Sequence, residues 1–215
     1  VRRSSLATSV KLSVAPGGTL RVSMPTLTPL FLAKRLINSS RPKLRSMLVS
    51  ERPAPFADGQ QIGKSHSLHV RSGTTQSVEI HGQMIVAVIP EGTALNDTSI
   101  QDSVRAAAIK ALRKEAKAYL PRRLKFLAAK HGDTYESVRF SHASSRWGSC
   151  SSTGTISLNI ALMNLPFELI DYVLLHELAH THEMNHSSKF WQIVESYDPH
   201  YKIHRKTLKT RSPHI

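Results

Sequence analysis

Val173-Leu174-Leu175-His176-Glu177-Leu178-Ala179-His180, VLLHELAH, contains the pattern HExxH. On an α-helix turning about 100° per residue, His176 and His180 lie about 40° apart on one face and one turn apart along the axis, so two imidazoles can meet one ion. Glu177 falls just beside that face, placed to hold a water next to the metal without being a ligand itself. The competing reading is a buried amphipathic helix whose histidines hydrogen-bond to polar neighbours. Leu165-Pro166 offers proline at a first helical turn, and Glu168 and Asp171 follow where carboxylates suit the positive end of the helix dipole. The helix is therefore expected to start near Pro166.

A catalytic zinc commonly takes three protein ligands and leaves a fourth position to water, so a third ligand is needed. His182 lies about 200° from His180 on a continuous helix and cannot serve. His186 returns to the metal if the helix ends near Met184-Asn185, where Asn tolerates the left-handed conformation that terminates helices. HELAHTHEMNH then reads HExxHxxxxxH, with Ser187 and Ser188 ready to cap a following helix, SKFWQIVESY. Glu183 and Glu195 are the alternatives, since some zincins use a later carboxylate. The extra histidine on a well-started helix favours the metal over the buried-helix reading.

Around this motif, 215 residues with 40% hydrophobic content suffice for a core, in one large domain or two small ones. The single cysteine, Cys150, excludes an internal disulfide and any zinc site built on several thiolates. No histidine stands at nucleophile spacing from it, so it reads as structural. The longest apolar runs, YVLL and MIVAVI, fall short of the roughly 18 residues that span a bilayer, and the start VRRSSLATSVKLSV lacks a continuous apolar stretch. A soluble, cytoplasmic protein with no membrane partner is expected. Net charge is +14, and no Asp or Glu precedes Glu51. An anionic partner such as nucleic acid or nucleotide fits this charge, and so does a basic surface that is simply solvated.

In VKLSVAPGGTLRVSMP, Leu12 and Val14 precede a Pro-Gly-Gly turn and Leu20 and Val22 follow it, which reads as a β-hairpin. Residues 28–50 look helical, interrupted at Arg41-Pro42. Strands are expected around 66–71, 77–81 and 84–89, ending at Pro90-Glu91-Gly92. From Asp102 an Ala-, Lys- and Arg-rich segment has apolar residues at helical spacing, with Pro121 as a kink or break and Gly132 as a stop. Strands at 137–142 and 155–159 then form a hairpin around SSRWGSCSSTG. A boundary near residues 92–102 separates a β-rich N-terminal region with a helical insertion, 1–100, from a catalytic domain, 101–215.

SRWGSCSSTGTISLN at Ser145–Asn159, followed by LMNLPFELIDYVLLHELAHTHEMNHSSKFW, resembles the YgjP-like metallopeptidase-type family of zinc-dependent hydrolases. The N-terminal hairpin, the PEG turn after MIVAVI and the long Ala/Lys helix come in the order expected of that family, so the resemblance covers nearly the whole chain. In its zinc motif the family is similar to the SprT-like and WLM proteases, which degrade proteins crosslinked to DNA. The resemblance implies an α+β, zincin-like fold with one Zn2+ per chain, His176, His180 and His186 as its ligands and Glu177 as catalytic base. The turn-making glycine of the metzincin pattern is replaced by Glu183, so the turn to His186 must be made differently.

Zinc lowers the pKa of water towards neutrality and polarises a carbonyl or phosphoryl group, while Glu177 takes up the water's proton and passes it to the leaving group. Thr155–Asn159 is the candidate cleft strand, able to pair with an extended substrate backbone and presenting Asn159 to it. Gly148 permits a sharp turn that can aim Arg146 at a substrate carboxylate, a phosphate or an oxyanion. Alternatively, Trp147 plugs the core and Arg146 pairs with a surface acid. Tyr201 and His204 are candidates for a transition-state hydrogen bond, or plain helix-face residues.

Three functions remain. A zinc-dependent peptidase and a metal-dependent hydrolase of nucleoside triphosphates share every ligand. Without a P-loop, phosphate binding would rest on Arg, Lys and the metal, for which manganese or nickel could replace zinc. The third function is a nucleic-acid-binding module with structural zinc, against which the presence of Glu177 argues, since such a site needs no base.

Overall fold

The computed structural model describes residues 1–5, 9–15, 19–42, 44 and 54–215, with backbone alone at 13–15 and 19–21. The chain separates into two compact units, Val1–Ala54 and Pro55–Ile215. The boundary expected near residues 92–102 falls inside the second unit, because the strands of 61–90 pack on the long helix that follows them.

In the first unit, strands β2 (Lys11–Ala15) and β3 (Thr19–Pro25) pair antiparallel with Leu12 opposite Val22, as the alternation predicts. Strand β1 (Arg2–Ser4) adds parallel to β3. Helix α1 (Leu30–Ser39) follows Pro29, and its Ala33 is buried with Val22 and Met24. The Pro-Gly-Gly turn and the helical reading of 45–50 lie outside the described residues.

The second unit opens with β4 (Gln61–Ile62), β5 (His66–Gly73), β6 (Ser77–His81) and β7 (Met84–Pro90), in the order β4-β5-β7-β6. Helix α2 (Thr98–His131) runs 34 residues, about 50 Å at 1.5 Å per residue. The Asp97 carboxylate accepts from Ser99 N at 2.9 Å and starts the helix four residues before the expected Asp102; Gly132, at φ 75°, ends it. A stripe at helical spacing, from Ile100 and Val104 through Ala108, Leu112 and Ala116 to Leu120 and Leu124, is buried against the rest of the unit. That burial holds the helix through Pro121, which forfeits one backbone hydrogen bond without breaking it.

A second sheet has the order β8-β10-β9 from β8 (Ser137–Ser141), β9 (Gly148–Cys150) and β10 (Thr155–Asn159). The strands expected to form a hairpin, β8 and β10, are instead parallel. The intervening RWGSC contributes β9, and β9 makes the hairpin with β10 through a tight turn closed by Gly154 N donating to Ser151 O at 2.9 Å. A 3-10 helix (Ile160–Asn164) leads into α3 (Phe167–Ala179), then α4 (Ser188–Tyr197) and α5 (Tyr201–Lys209). Helix α3 carries the HExxH residues and is buried on nearly every side, packed by α2, β9, α4 and α5. Arg123 of α2 grips Asp171 of α3 with two hydrogen bonds, 2.8 and 2.6 Å. No described helix is long and apolar enough to cross a membrane.

Candidate metal centre

Helix α3 starts at Phe167 with Pro166 as its cap, as expected, but ends at Ala179 rather than near Met184-Asn185. The chain then turns through Thr181 and His182, and no described residue other than glycine has positive φ, so the return to His186 needs no left-handed asparagine. Ser187 caps α4, its hydroxyl accepting from Phe190 N at 3.3 Å.

These turns bring His176, His180 and His186 together, with one nitrogen of each within 4.8 Å of the others. Nε2 of His186 and Nε2 of His176 are 3.1 Å apart. Tetrahedral bonds of 2.0–2.1 Å to zinc separate ligand nitrogens by about 3.3 Å, so this pair already stands near a ligating separation. His180 Nδ1 meets the Glu183 carbonyl at 3.0 Å, which directs its Nε2 towards the cluster. Burial, the neighbouring imidazoles and Arg205 push His176 down to about 3, and the same influences lower His186. Both shifts favour the neutral imidazole, the form that can bind a metal.

The alternatives for the third ligand lie elsewhere. Glu183 contributes its carbonyl to His180, and Glu195 faces Lys202 at 3.4 Å on the surface. His182 points away, to the Asp133 carboxylate at 2.7 Å.

Glu177 is 4% exposed, and its Oε2 is buried without a hydrogen-bond partner. Among the protein groups alone, burial pushes its carboxyl up to about 8, with Arg146 pulling the other way. Such an atom calls for a partner that the protein does not supply, and a water beside a divalent ion fits it. Gly148 lies directly against this side chain: a Cβ there would come 2.5 Å from Glu177 Oε1. The glycine that sequence reading assigned to a turn is thus needed for close approach as well.

Phe190, fully buried, supports the three imidazoles, with ring centres 4.9 Å from His176, 4.4 Å from His180 and 4.7 Å from His186. Its place in the first turn of α4, just after the Ser187 cap, was the available signal. Asp133 gave no such signal, because its partners are 49 and 64 residues away: one oxygen accepts from both His182 Nε2 and Tyr197 OH at 2.7 Å. One buried carboxylate thereby fastens both the turn before His186 and the far end of α4.

The remaining candidates divide. Arg146 is exposed, close enough for its charge to act on Glu177. Asn159 is fully buried, and its amide is spent on the Ala143 and Arg146 carbonyls and on Ala161 N, so it shapes the 143–146 loop instead of meeting a substrate. Tyr201 is buried and stacked on Trp191 at 5.6 Å. His204 is held through Nδ1 by Asp198 at 2.6 Å and lies 6.1 Å from the Tyr172 ring, which is 6.0 Å from His176. Cys150 is half-buried, its thiol pushed up by burial and by Glu177.

A family model, YgjP-like, metallopeptidase domain, matches residues 8–211. The chain belongs to the YgjP-like family. This YgjP-like chain is also similar to two solved structures. The crystal structure of the metallopeptidase zymogen of Pyrococcus abyssi abylysin has 31% identity and a TM-score of 0.39, covering 42% of this chain and 91% of that one. The metallopeptidase zymogen of Methanocaldococcus jannaschii jannalysin has 21% identity and a TM-score of 0.38, covering 42% and 93%. Comparison with curated proteins gives no match. Membership of this family makes the chain a metallopeptidase-type domain, and the three histidines are a donor set suited to a metal ion.

Proposed function

We propose that this YgjP-like chain is a zinc-dependent peptidase in which His176, His180 and His186 hold the ion and Glu177 is the general base. The observation that carries the reading is the convergence of three imidazoles beside a buried carboxylate whose Oε2 has no protein partner. When bound, zinc lowers the pKa of water and polarises the scissile carbonyl. Glu177 accepts the proton of the attacking water and delivers it to the leaving nitrogen.

The peptide is received by β9 and not by β10, the strand singled out from sequence. Both edges of β10 are taken, by β8 and β9, whereas β9 has a single partner strand among the described residues and abuts Glu177 through Gly148. An extended substrate adds to that free edge with main-chain hydrogen bonds. Of the two candidates for a transition-state hydrogen bond, His204 fits better: Asp198 holds Nδ1 and leaves Nε2 to donate to the oxyanion. Tyr201 acts through its stacking on Trp191. Arg146, exposed near Glu177, binds an anionic part of the substrate.

The exposed Arg146 also favours a second reading, hydrolysis of a nucleoside triphosphate at the same centre. Zinc-loaded protein offered unfolded polypeptide and, separately, nucleoside triphosphates decides between them. New peptide termini support the first reading; phosphate or pyrophosphate release without peptide cleavage replaces it with the second.

A further inference from the structure

Arg205 has no part in the chemistry above, yet it borders the metal cluster. Its guanidinium lies 4.3 Å from the centre of the Trp191 ring. That ring is 5.9 Å from His176 and 5.6 Å from His186, centre to centre, so one indole separates the cation from two of the three imidazoles. Tyr201, one turn earlier on α5, stacks on the same indole at 17° and fixes its plane. Arg105, Arg123 and Lys202 each have a carboxylate partner. Arg205 has none among the described residues and is exposed.

A guanidinium lying over an aromatic face keeps its N–H edge free, and that planar fork matches a carboxylate or phosphate. The fixed charge also opposes a divalent cation at the three histidines, because like charges raise each other's free energy. An anion held at the exposed N–H edge of the guanidinium, beside the indole, offsets that repulsion and pairs with the arginine.

We propose that Arg205, seated on Trp191, is a specificity-determining residue that binds an anionic oxygen group of the substrate, carboxylate or phosphate, beside the bond to be cleaved. The proposal rests on the hydrolase reading of the preceding section. It assigns the substrate a negative charge near the scissile bond and gives the Trp191 plate a purpose beyond packing.

The test uses the full zinc-loaded chain as wild type, Arg205→Gln and Arg205→Lys. Peptide pairs that differ only by Asp against Asn, or by a free against an amidated C-terminus, distinguish the carboxylate source from a nucleoside triphosphate, the phosphate source. Wild type should favour the charged member roughly tenfold to a hundredfold in kcat/KM, mainly through KM. Arg205→Gln should bring that ratio near one, and Arg205→Lys should restore part of it. If phosphate is the group, the KM for the triphosphate rises by a similar factor in Arg205→Gln while the peptide pairs remain indistinct. Zinc affinity, read by chelator competition, should rise in Arg205→Gln, whereas a merely structural arginine would leave it equal or lower. Hydrolysis with no charge preference and a triphosphate KM unchanged in Arg205→Gln, or an equal fall for both members of a pair in that variant, overturns the anion role and leaves the hydrolase standing. No hydrolysis of any substrate overturns the hydrolase reading, and the anion role with it.

Discussion

The close approach of Gly148 to Glu177 depends on the absence of one methyl group. A Cβ at 148 would meet Oε1, Cδ and Cγ of Glu177 within 2.8 Å, so the carboxylate must move. Gly148→Ala is expected to lower kcat/KM by about a hundredfold, the scale of a displaced catalytic group, while zinc remains bound at one per chain. Rate assays beside metal analysis check this, and an unimpaired rate would contradict the close-approach role. Asp133 acts on the other side of the centre. Its replacement by alanine frees His182 and Tyr197 together, and zinc affinity should fall roughly tenfold to a hundredfold, the range for groups that orient ligands. A chelator competition titration reads that loss. At this scale the pairing of His176 with His180 was legible because i, i+4 spacing on a helix is a local rule, and Ser187 capping α4 was equally local. Asp133 and Arg205 were not legible, because each is defined by a neighbour that only the fold supplies.

Elements were legible where periodicity and punctuation agreed. The strands at 66–73, 77–81 and 84–90 lie where short runs between Gly-containing turns place them, and Gly132 stops α2 at the expected end. Pairing was not legible. Strand β9 is three residues long and carries Gly148, too little for a pattern, so β10 was read as an edge when it is central. Nor does a stripe of alanine and leucine reveal that α2 also buries Glu115, which accepts from Lys64 N, Ser65 N, Ser65 Oγ and His66. Burial alone would raise that carboxyl; the hydrogen bonds outweigh it and hold it below the ordinary value. A carboxylate depressed in the fold stabilises above its unfolded pKa of roughly 4.3 and loses that contribution as pH falls through the folded value. Glu115→Gln should cost about 2–4 kcal/mol at pH 7. The deficit should shrink below about pH 4, as checked by denaturant midpoints across that range; a pH-independent deficit would contradict a charged Glu115.

For the whole molecule, charge and chemistry are segregated. Residues 1–54 hold ten Lys or Arg against Glu51 alone, a surplus of nine out of the total of fourteen, while every residue of the metal centre lies in 55–215. Composition revealed the surplus, but the position of the break at Ala54/Pro55 required the packing of β6 and β7 on α2. If the basic unit serves nucleic acid, affinity for duplex DNA should fall steeply between 50 and 200 mM salt. Removal of residues 1–54 should abolish that binding. Salt-independent binding, or none at low salt, would leave the charge as a solvated surface.

The central claim is that three histidines hold the ion while Glu177 does the chemistry, and it is tested most directly by comparing wild type with Glu177→Gln for bound zinc and for hydrolysis in one preparation. The expected result is one zinc per chain in both, with the rate reduced by at least about a thousandfold in the variant. Equal rates, or a wild-type protein that takes up no zinc, would contradict it.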